Sequence, residues 1–347
     1  MTSKRSGWIF PVLAGILILA FLGDLLFGSV RLSFKDFSDV LLGKSDNQNM
    51  DYIIWSLRLP KAITAILAGS GLALCGLLMQ TLFRNPLAGP FVLGISSGAS
   101  LGVALLVMAS SWFGGNALVQ ALPYGHWGMV IAAMAGALAV MLFVILVSVR
   151  VADSVSILII GMMFGSATGA IVSLLQYFSD PDTVKSFLVW TFGDISAVTA
   201  PHLKLLTPLV IAGIFAGLIL RKPLNALLLG ENHARVIGVN VKRSRIVIIL
   251  ITSLLTGAIT AFTGPIAFVG VAVPHLARAI LRTSDHRRLT PATLMCGAII
   301  MLICDILAQL PASNQVLPIN TVTAIFGAPV VIWVVLRNRR GRTPVES

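Results

Sequence analysis

Charged residues and cysteines are scarce in this sequence, and each scarcity excludes a class of protein. Only 11% of the 347 residues are charged while 57% are apolar, which excludes an ordinary water-soluble domain. Three cysteines, all within apolar runs, provide neither a disulfide framework nor a zinc-binding spacing. The five histidines have no second His or carboxylate at ligand spacing, so we predict no metal site and no catalytic residue.

Long apolar runs make up most of the chain. Runs of about 20 residues cross a hydrocarbon core of about 30 Å as helices, and continuous runs are unlike the alternating strands of a barrel. We therefore predict an all-α polytopic membrane protein, with a single transmembrane domain over residues 1–347. The ten predicted spans lie near residues 8–30, 62–82, 91–109, 129–149, 156–176, 203–220, 246–262, 266–281, 291–310 and 319–336.

The basic residues predict which side of the membrane each segment occupies. With the N-terminus inside, 18 of the 25 Lys and Arg residues fall in cytoplasmic segments, as the positive-inside rule requires. Both termini are therefore expected in the cytoplasm. The net charge of +12 is scattered over short segments without interleaved aromatic residues, so we expect membrane lipid and no nucleic acid as a partner.

The longest predicted cytoplasmic segment, residues 221–245, has a helical pattern. Gly230 interrupts a leucine-rich helical face, and a second short apolar turn ends at Gly238. This pattern predicts two short helices joined at a glycine. Such a segment either rests on the lipid headgroups or docks a soluble partner.

Two predicted spans carry glycines four residues apart, a spacing that lets helix backbones approach closely. The third span has Gly94, Gly98 and Gly102, and the fifth has Gly161, Gly165 and Gly169. Helix packing alone accounts for both ridges. The fifth span is also a candidate for the tight centre of the fold, beside a pathway or a twofold axis.

Several charges interrupt the apolar pattern near the predicted outer face. Arg58 and Lys61 are either interfacial snorkels or a contact for an acidic surface outside the membrane. Asp305 would destabilise a helix centre by about 2.5–3.5 kcal/mol, so we expect it to be paired near the interface rather than to relay protons. In a secondary transporter driven by an ion gradient, Asp24 and Asp305 would be the coupling groups.

Eight ordered segments together resemble one known family. They are Arg58-Leu59-Pro60, Met79-Gln80, Asn85-Pro86-Leu87-Ala88, the Gly94 to Gly102 run, Gly264 to Gly270, Val273 to Arg278, Leu317-Pro318-Ile319 and Gly327-Ala328-Pro329. From the first span to Arg337, the chain resembles the FecCD-type permease subunits of ATP-binding cassette (ABC) importers for iron-siderophores, haem and cobalamin.

The resemblance implies an assembly and a function. It implies a ten-helix permease with two inverted-repeat-like halves, working with a second copy of itself, two ATP-binding subunits and one extracytoplasmic substrate-binding protein. Such a chain is not an enzyme and holds no cofactor, because ATP and Mg belong to the partner ATPase. The expected cargo is a metal chelate, iron-siderophore or haem, and the alternative within the family is cobalamin.

Site residues are also implied by the resemblance. Arg58 and Lys61 match a basic pair that receives the binding protein. The ATPase-coupling residues, within 224–242, are Leu227, Gly230, Glu231, Ala234, Arg235, Gly238 and Val239. The pathway and inner-gate residues are Asn85, Leu87, Ser154, Val155, Ser156, Gly161, Gly165 and Gly169. Gln309 and Val316 stand where many relatives carry Arg and Glu, so a third docking salt bridge is not implied.

Overall fold

The computed structural model describes residues 3–28, 30, 33–44, 47–108, 125–151, 153–309 and 316–340. In chain order the α-helices are α1 (Ser3–Leu26), α2 (Phe34–Leu41), α3 (Gln48–Tyr52), α4 (Leu59–Leu82), α5 (Ile95–Met108), α6 (Gly125–Arg150), α7 (Ser154–Phe178), α8 (Pro181–Thr191), α9 (Ala200–Ile219), α10 (Arg221–Leu228), α11 (Glu231–Val236), α12 (Val241–Thr263), α13 (Val269–Leu281), α14 (His286–Gln309) and α15 (Ile319–Arg340). A π-helical turn, Ile53–Arg58, leads into α4, and a 3₁₀ turn, Pro90–Leu93, precedes α5.

The predicted spans match the apolar helices one for one. Seven helices of the described chain are long and apolar enough to cross a membrane, and three shorter apolar helices, α5, α13 and α15, accompany them. The all-α polytopic prediction is therefore confirmed. The cytoplasmic placement of the termini stays a prediction from the charge distribution.

Helix α4 lies at the centre of the bundle, where it is almost entirely buried. Its glycines make this position possible. A Cβ on Gly69 would lie 2.2 Å from the carbonyl oxygen of Gly297 in α14, and one on Gly76 would lie 1.5 Å from that of Gly270 in α13. The tight centre of the single chain is therefore built on α4 and not on the fifth span. The position of the fifth span beside a pathway or a twofold axis stays a prediction.

The two glycine ridges have different surroundings. Gly98 and Gly102 pack directly against α6, because added Cβ atoms would lie 2.7 Å and 2.1 Å from the carbonyl oxygens of Gly136 and Ala132. Helix α7 is largely exposed within one chain, and nothing lies within 4 Å of the position of a Cβ on Gly169. The ridge on the third span is therefore a packing device, whereas α7 presents a free face.

Two similar segments precede the short helices α5 and α13. Each begins with Gly-Pro, and each short helix starts directly after a residue with positive φ, Gly94 (φ 73°) or Phe268 (φ 66°). The similarity of sequence and local structure agrees with two related halves. Their inverted orientation remains an implication of the family resemblance.

Candidate coupling, gate and docking sites

The predicted coupling segment folds as two short helices, as its pattern indicated. Helices α10 and α11 meet at Gly230, whose φ of 106° belongs to the region that favours glycine. Leu227 and Ala234 are buried and attach the helices to the rest of the chain, while Val239 is partly buried. The segment is thus an ordered element whose inner side is packed.

The outer side of this segment exposes apolar residues. Leu229, Val236 and Ile237 are exposed, Val236 by 86%, and Arg235 beside them is also exposed. Gly238 (φ 85°) has nothing within 4 Å of its Cβ position. Exposed apolar side chains near the end of a membrane bundle mark a contact surface. We refer to Leu229, Arg235, Val236, Ile237 and Gly238 as the coupling surface.

Helix α10 is fastened to the start of α14 by a reciprocal amide contact. Asn225 Nδ2 donates to Asp285 Oδ1 at 2.6 Å, and Asn225 Oδ1 accepts from the backbone N–H of His286 at 2.8 Å. A hydrogen bond from the Arg287 backbone N–H and, after it, the bond from Asn225 lower the pKa of Asp285. The His286 ring in turn contacts the Thr81 hydroxyl at the end of α4. Sequence reasoning missed this contact, because its partners lie 60 residues apart.

Helix α11 is fastened to α12 by an ion pair. Arg245 Nη2 lies 2.8 Å from Glu231 Oε1, and Nη1 of the same guanidinium donates to the backbone oxygen of Val151 at 3.3 Å. Arg235, which is largely exposed, lies 3.7 Å from the other oxygen of Glu231. Arg245 is only 4% exposed, so its pair with Glu231 is much the better shielded from water.

One cleft is lined by a predicted gate residue, Val155, and by two predicted coupling residues, Gly230 and Glu231. It has a volume of about 550 Å³ and is lined by the end of α4, the α10–α11 junction and the start of α7. Gly230 and Glu231 on one side face Val155 on the other. The start of α7 is therefore brought beside the junction of the two coupling helices.

The start of α7 is set by Asp153, which the sequence analysis did not single out. Its carboxylate accepts from the backbone N–H and the hydroxyl of Ser156, both at 2.8 Å. These bonds lower the pKa of Asp153, and the charge of Arg245 lowers it further. Helix α7 begins at Ser154. An Asp three residues before a hydroxyl residue at the start of an apolar run was the available signal.

Asn85 and Leu87 form a tight turn after α4. The Asn85 side-chain oxygen accepts from the backbone N–H of Leu87 at 2.9 Å, and His275 Nε2 lies 2.7 Å from the Pro86 carbonyl oxygen. The turn is therefore fixed to α13. A Cβ on Gly161 would lie 2.7 Å from the oxygen of Val92, so α7 touches the neighbouring segment near its own start. Gly165 contacts the same segment more loosely.

The predicted docking cations are directed into the protein. Arg58 is 5% exposed and donates to the carbonyl oxygens of Leu25 and Leu26, each at 2.7 Å, and of Val30. These carbonyls lie at and after the end of α1. Arg58 therefore satisfies orphan carbonyls of a helix end. A docking role for it stays a prediction.

Lys61 lies between two buried acids. Its Nζ is 2.7 Å from Asp305 Oδ2 and 3.9 Å from Asp24 Oδ1, and the three side chains are at most 9% exposed. Gln309 Nε2 donates to Asp305 Oδ2 at 3.0 Å. The expected pairing of Asp305 is confirmed, and Lys61 joins α1, α4 and α14. Whether Lys61 also receives a partner protein stays a prediction.

Both cations border a cleft of about 530 Å³ at the predicted outer end. Asp305, Gln309, Asp194 and the segment from Val316 to Ile319 line the same cleft. The cleft contains charges of both signs. Among the described residues, no group of three His, Cys, Asp or Glu side chains could hold a metal ion.

Comparison with known proteins identifies the family. The FecCD transport family matches residues 16–337. The chain is 33% identical to the hemin transport system permease protein HmuU of Yersinia pestis, covering 94% of this chain and 95% of that protein. It is 36% identical to the vitamin B12 import system permease protein BtuC of Klebsiella pneumoniae, covering 82% and 83%. The chain belongs to the FecCD transport family.

A solved structure supports the same assignment. An inward-facing metal-chelate type ABC transporter has a TM-score of 0.82 to this chain at 28% identity, covering 95% of this chain and 99% of that one. The protein is thus a multi-pass permease of the inner membrane and a transport subunit. In a secondary transporter, Asp24 and Asp305 would be the coupling groups. Here Lys61 Nζ forms an ion pair with Asp305 and lies near Asp24.

Proposed function

We propose that this permease carries a metal chelate, an iron-siderophore or haem, into the cytoplasm with energy from a partner ATPase. The observation that carries the proposal is the nearly full-length match to a hemin permease together with the fold of a metal-chelate type transporter. Cobalamin is the second candidate, because vitamin B12 permeases match over most of the chain.

The proposed assembly contains two permease copies, two ATP-binding subunits and one extracytoplasmic binding protein. Support for the ATPase contact comes from the coupling surface, which leaves apolar side chains exposed on an ordered segment. Support for a second copy comes from α7, whose exposed face contains Ser166, Gly169, Ala170 and Ser173. Small residues on a membrane helix favour close helix contacts. ATP and Mg are assigned to the ATPase, and the permease itself uses no cofactor.

We propose Asn85, Leu87 and the first turn of α7, Ser154, Val155 and Ser156, as the inner gate. Support comes from the cleft in which Val155 faces the coupling segment. The free face of α7 beyond Gly165 would then line the pathway. Arg58 and Lys61 are proposed to receive acidic residues of the binding protein, by exchanging their internal partners for external ones.

The test of the substrate uses the cognate binding protein and the reconstituted transporter. The binding protein is screened against haem, ferric siderophores and cobalamin by thermal shift, and uptake of each ligand into proteoliposomes is then measured. We expect binding and uptake of an iron chelate. Uptake of cobalamin alone would select the second candidate, and the absence of uptake for all three would contradict the proposal.

A further inference from the structure

We infer that Arg245 is a positioning residue that transmits movement of the coupling segment to the start of α7. The inference deepens the proposed function and rests on it, because it requires the coupling surface to be moved by an ATPase. It assigns a role to a residue of the α12 helix that lies behind the coupling surface.

The first step is the geometry of the guanidinium. One nitrogen, Nη2, is 2.8 Å from Glu231 in α11, and the other, Nη1, donates at 3.3 Å to Val151, three residues before the start of α7. Arginine offers several donors in a rigid planar fork, so it can hold two partners on different segments at fixed separation. A lysine at this position would offer a single flexible centre of charge.

The second step is burial. The Arg245 side chain is 5% exposed and that of Glu231 is 29% exposed. Separating a shielded pair leaves a charge without its partner in a poorly solvated site, which is strongly unfavourable. Glu231 and Arg245 are therefore expected to move together. Arg235 also approaches Glu231, but it is 62% exposed, and exposed pairs contribute little.

The third step is what lies beyond Val151. The next described residue, Asp153, caps α7 through Ser156, and Arg245 contributes to the low pKa of Asp153. Arg245 therefore holds the residue directly after α6 through a backbone hydrogen bond and acts on Asp153, the cap of α7, through charge. Glu231, which lines the same cleft, is the first residue of α11 and directly follows Gly230. A shift of α11 reaches α7 without passing through the bundle core.

The test measures the gate rather than stability. A Val155→Cys reporter is placed in a chain with Cys75, Cys296 and Cys304 replaced by Ala, and the complex with its ATPase is reconstituted in nanodiscs. Thiol-labelling rates are compared between the nucleotide-free and the vanadate-trapped states. We expect Arg245→Ala and Glu231→Gln each to reduce the difference between the states by about 2-fold to 30-fold, the range for residues that mediate coupling. The double variant should be no worse than either single variant.

We call this transmission of movement through Arg245 the relay. The conservative variant separates the relay from simple stabilisation of the fold. Arg245→Lys retains a charge for Glu231 but cannot hold both partners, so ATPase co-purification and hydrolysis should persist while the gate response and the transport per ATP fall. Arg288→Ala, which removes an exposed arginine from the first turn of α14, is the matched control and should change nothing.

The outcomes distinguish the relay from the proposed function. A parent complex that binds no ATPase refutes the proposed function itself. A parent complex that responds, with Arg245→Lys and Glu231→Gln responding equally well, overturns the relay and leaves the function intact. If Arg245→Ala fails to fold, these two milder variants decide the question.

Discussion

At the scale of single residues, Lys61 determines the charge balance of the predicted outer end. It contacts Asp305 at 2.7 Å and lies 3.9 Å from Asp24, so replacing it leaves the buried Asp305 carboxylate without its cation. Breaking a buried pair in this way is destabilising by about 3–5 kcal/mol. We expect Lys61→Met to lower the thermal unfolding temperature in detergent markedly, and a second change, Asp305→Asn, to restore part of the loss.

Lys204→Met is the control for this experiment, since Lys204 is exposed on the first turns of α9. Equal stability of Lys61→Met and Lys204→Met would show that the buried cluster contributes nothing. The sequence predicted that Asp305 would be paired, but it could not identify Lys61 as the partner. That pairing depends on the angle at which α4 crosses α14, and side-chain spacing within one helix does not contain this information.

At the scale of helices, α4 is held at the centre by glycines that touch neighbouring backbones. A Cβ on Gly76 would lie 1.5 Å from a carbonyl oxygen of α13, and backbone atoms cannot rotate away as a side chain can. We expect Gly76→Ala to destabilise the fold by at least the upper end of the range of about 1–3 kcal/mol for overpacking. The measurement is thermal unfolding monitored by the yield of monodisperse protein.

Gly15→Ala in α1 is the matched control, because nothing lies within 4 Å of its Cβ position. That variant should be at least as stable as the parent, since alanine favours helix. A Gly76→Ala protein as stable as Gly15→Ala would contradict the close approach of α4 and α13. The sequence analysis followed glycine ridges on two other spans and passed over Gly69, Ala73 and Gly76, which repeat at helical spacing on α4, so the central helix was missed.

The coupling surface makes a prediction at the scale of a short element. Val236 is 86% exposed at the end of α11, so a charge there should leave the permease fold unchanged while disfavouring an apolar contact. We expect Val236→Glu to weaken co-purification of the ATPase by roughly tenfold or more, as for a buried interface anchor of about 2 kcal/mol. Lys222→Glu is the control, because Lys222 is exposed on α10. Ile16→Glu would not serve, because Ile16 lies in a membrane span.

Normal ATPase binding by Val236→Glu would argue that the segment is only a surface loop, whereas loss of permease stability would contradict the exposure of Val236. The two-helix form of this segment was predictable because Gly230 and Gly238 end short helical patterns in sequence. The Asn225 and Arg245 contacts that fasten it were not predictable, because each joins residues distant along the chain.

At the scale of the whole molecule, the largely exposed α7 predicts where two copies meet. In a cysteine-free background, Gly169→Cys and Ser173→Cys should crosslink to the same position of the second copy, because a symmetric interface brings identical residues together near its axis. Positions on α1, such as Leu19→Cys, should crosslink far less, although Leu19 is 70% exposed. Crosslinking at α1 and none at α7 would place the twofold axis elsewhere.

The number of spans and their places in the chain could be predicted because each span satisfies its own backbone hydrogen bonds and shows as an apolar run. Which spans pack against each other could not be predicted, because the lipid-facing and protein-facing sides of a span are similarly apolar. The family resemblance supplied roles for residues, and the structure then placed Val155 of the predicted gate in one cleft with Gly230 and Glu231 of the coupling segment.

The most direct test of the central claim is the energy source of transport. Proteoliposomes containing the permease and its ATPase are supplied with binding protein and iron chelate on one side and ATP on the other, and uptake is measured with and without an ionophore that removes ion gradients. We predict uptake that requires ATP hydrolysis and is unchanged by the ionophore. Uptake that proceeds without ATP and is abolished by the ionophore would contradict the account.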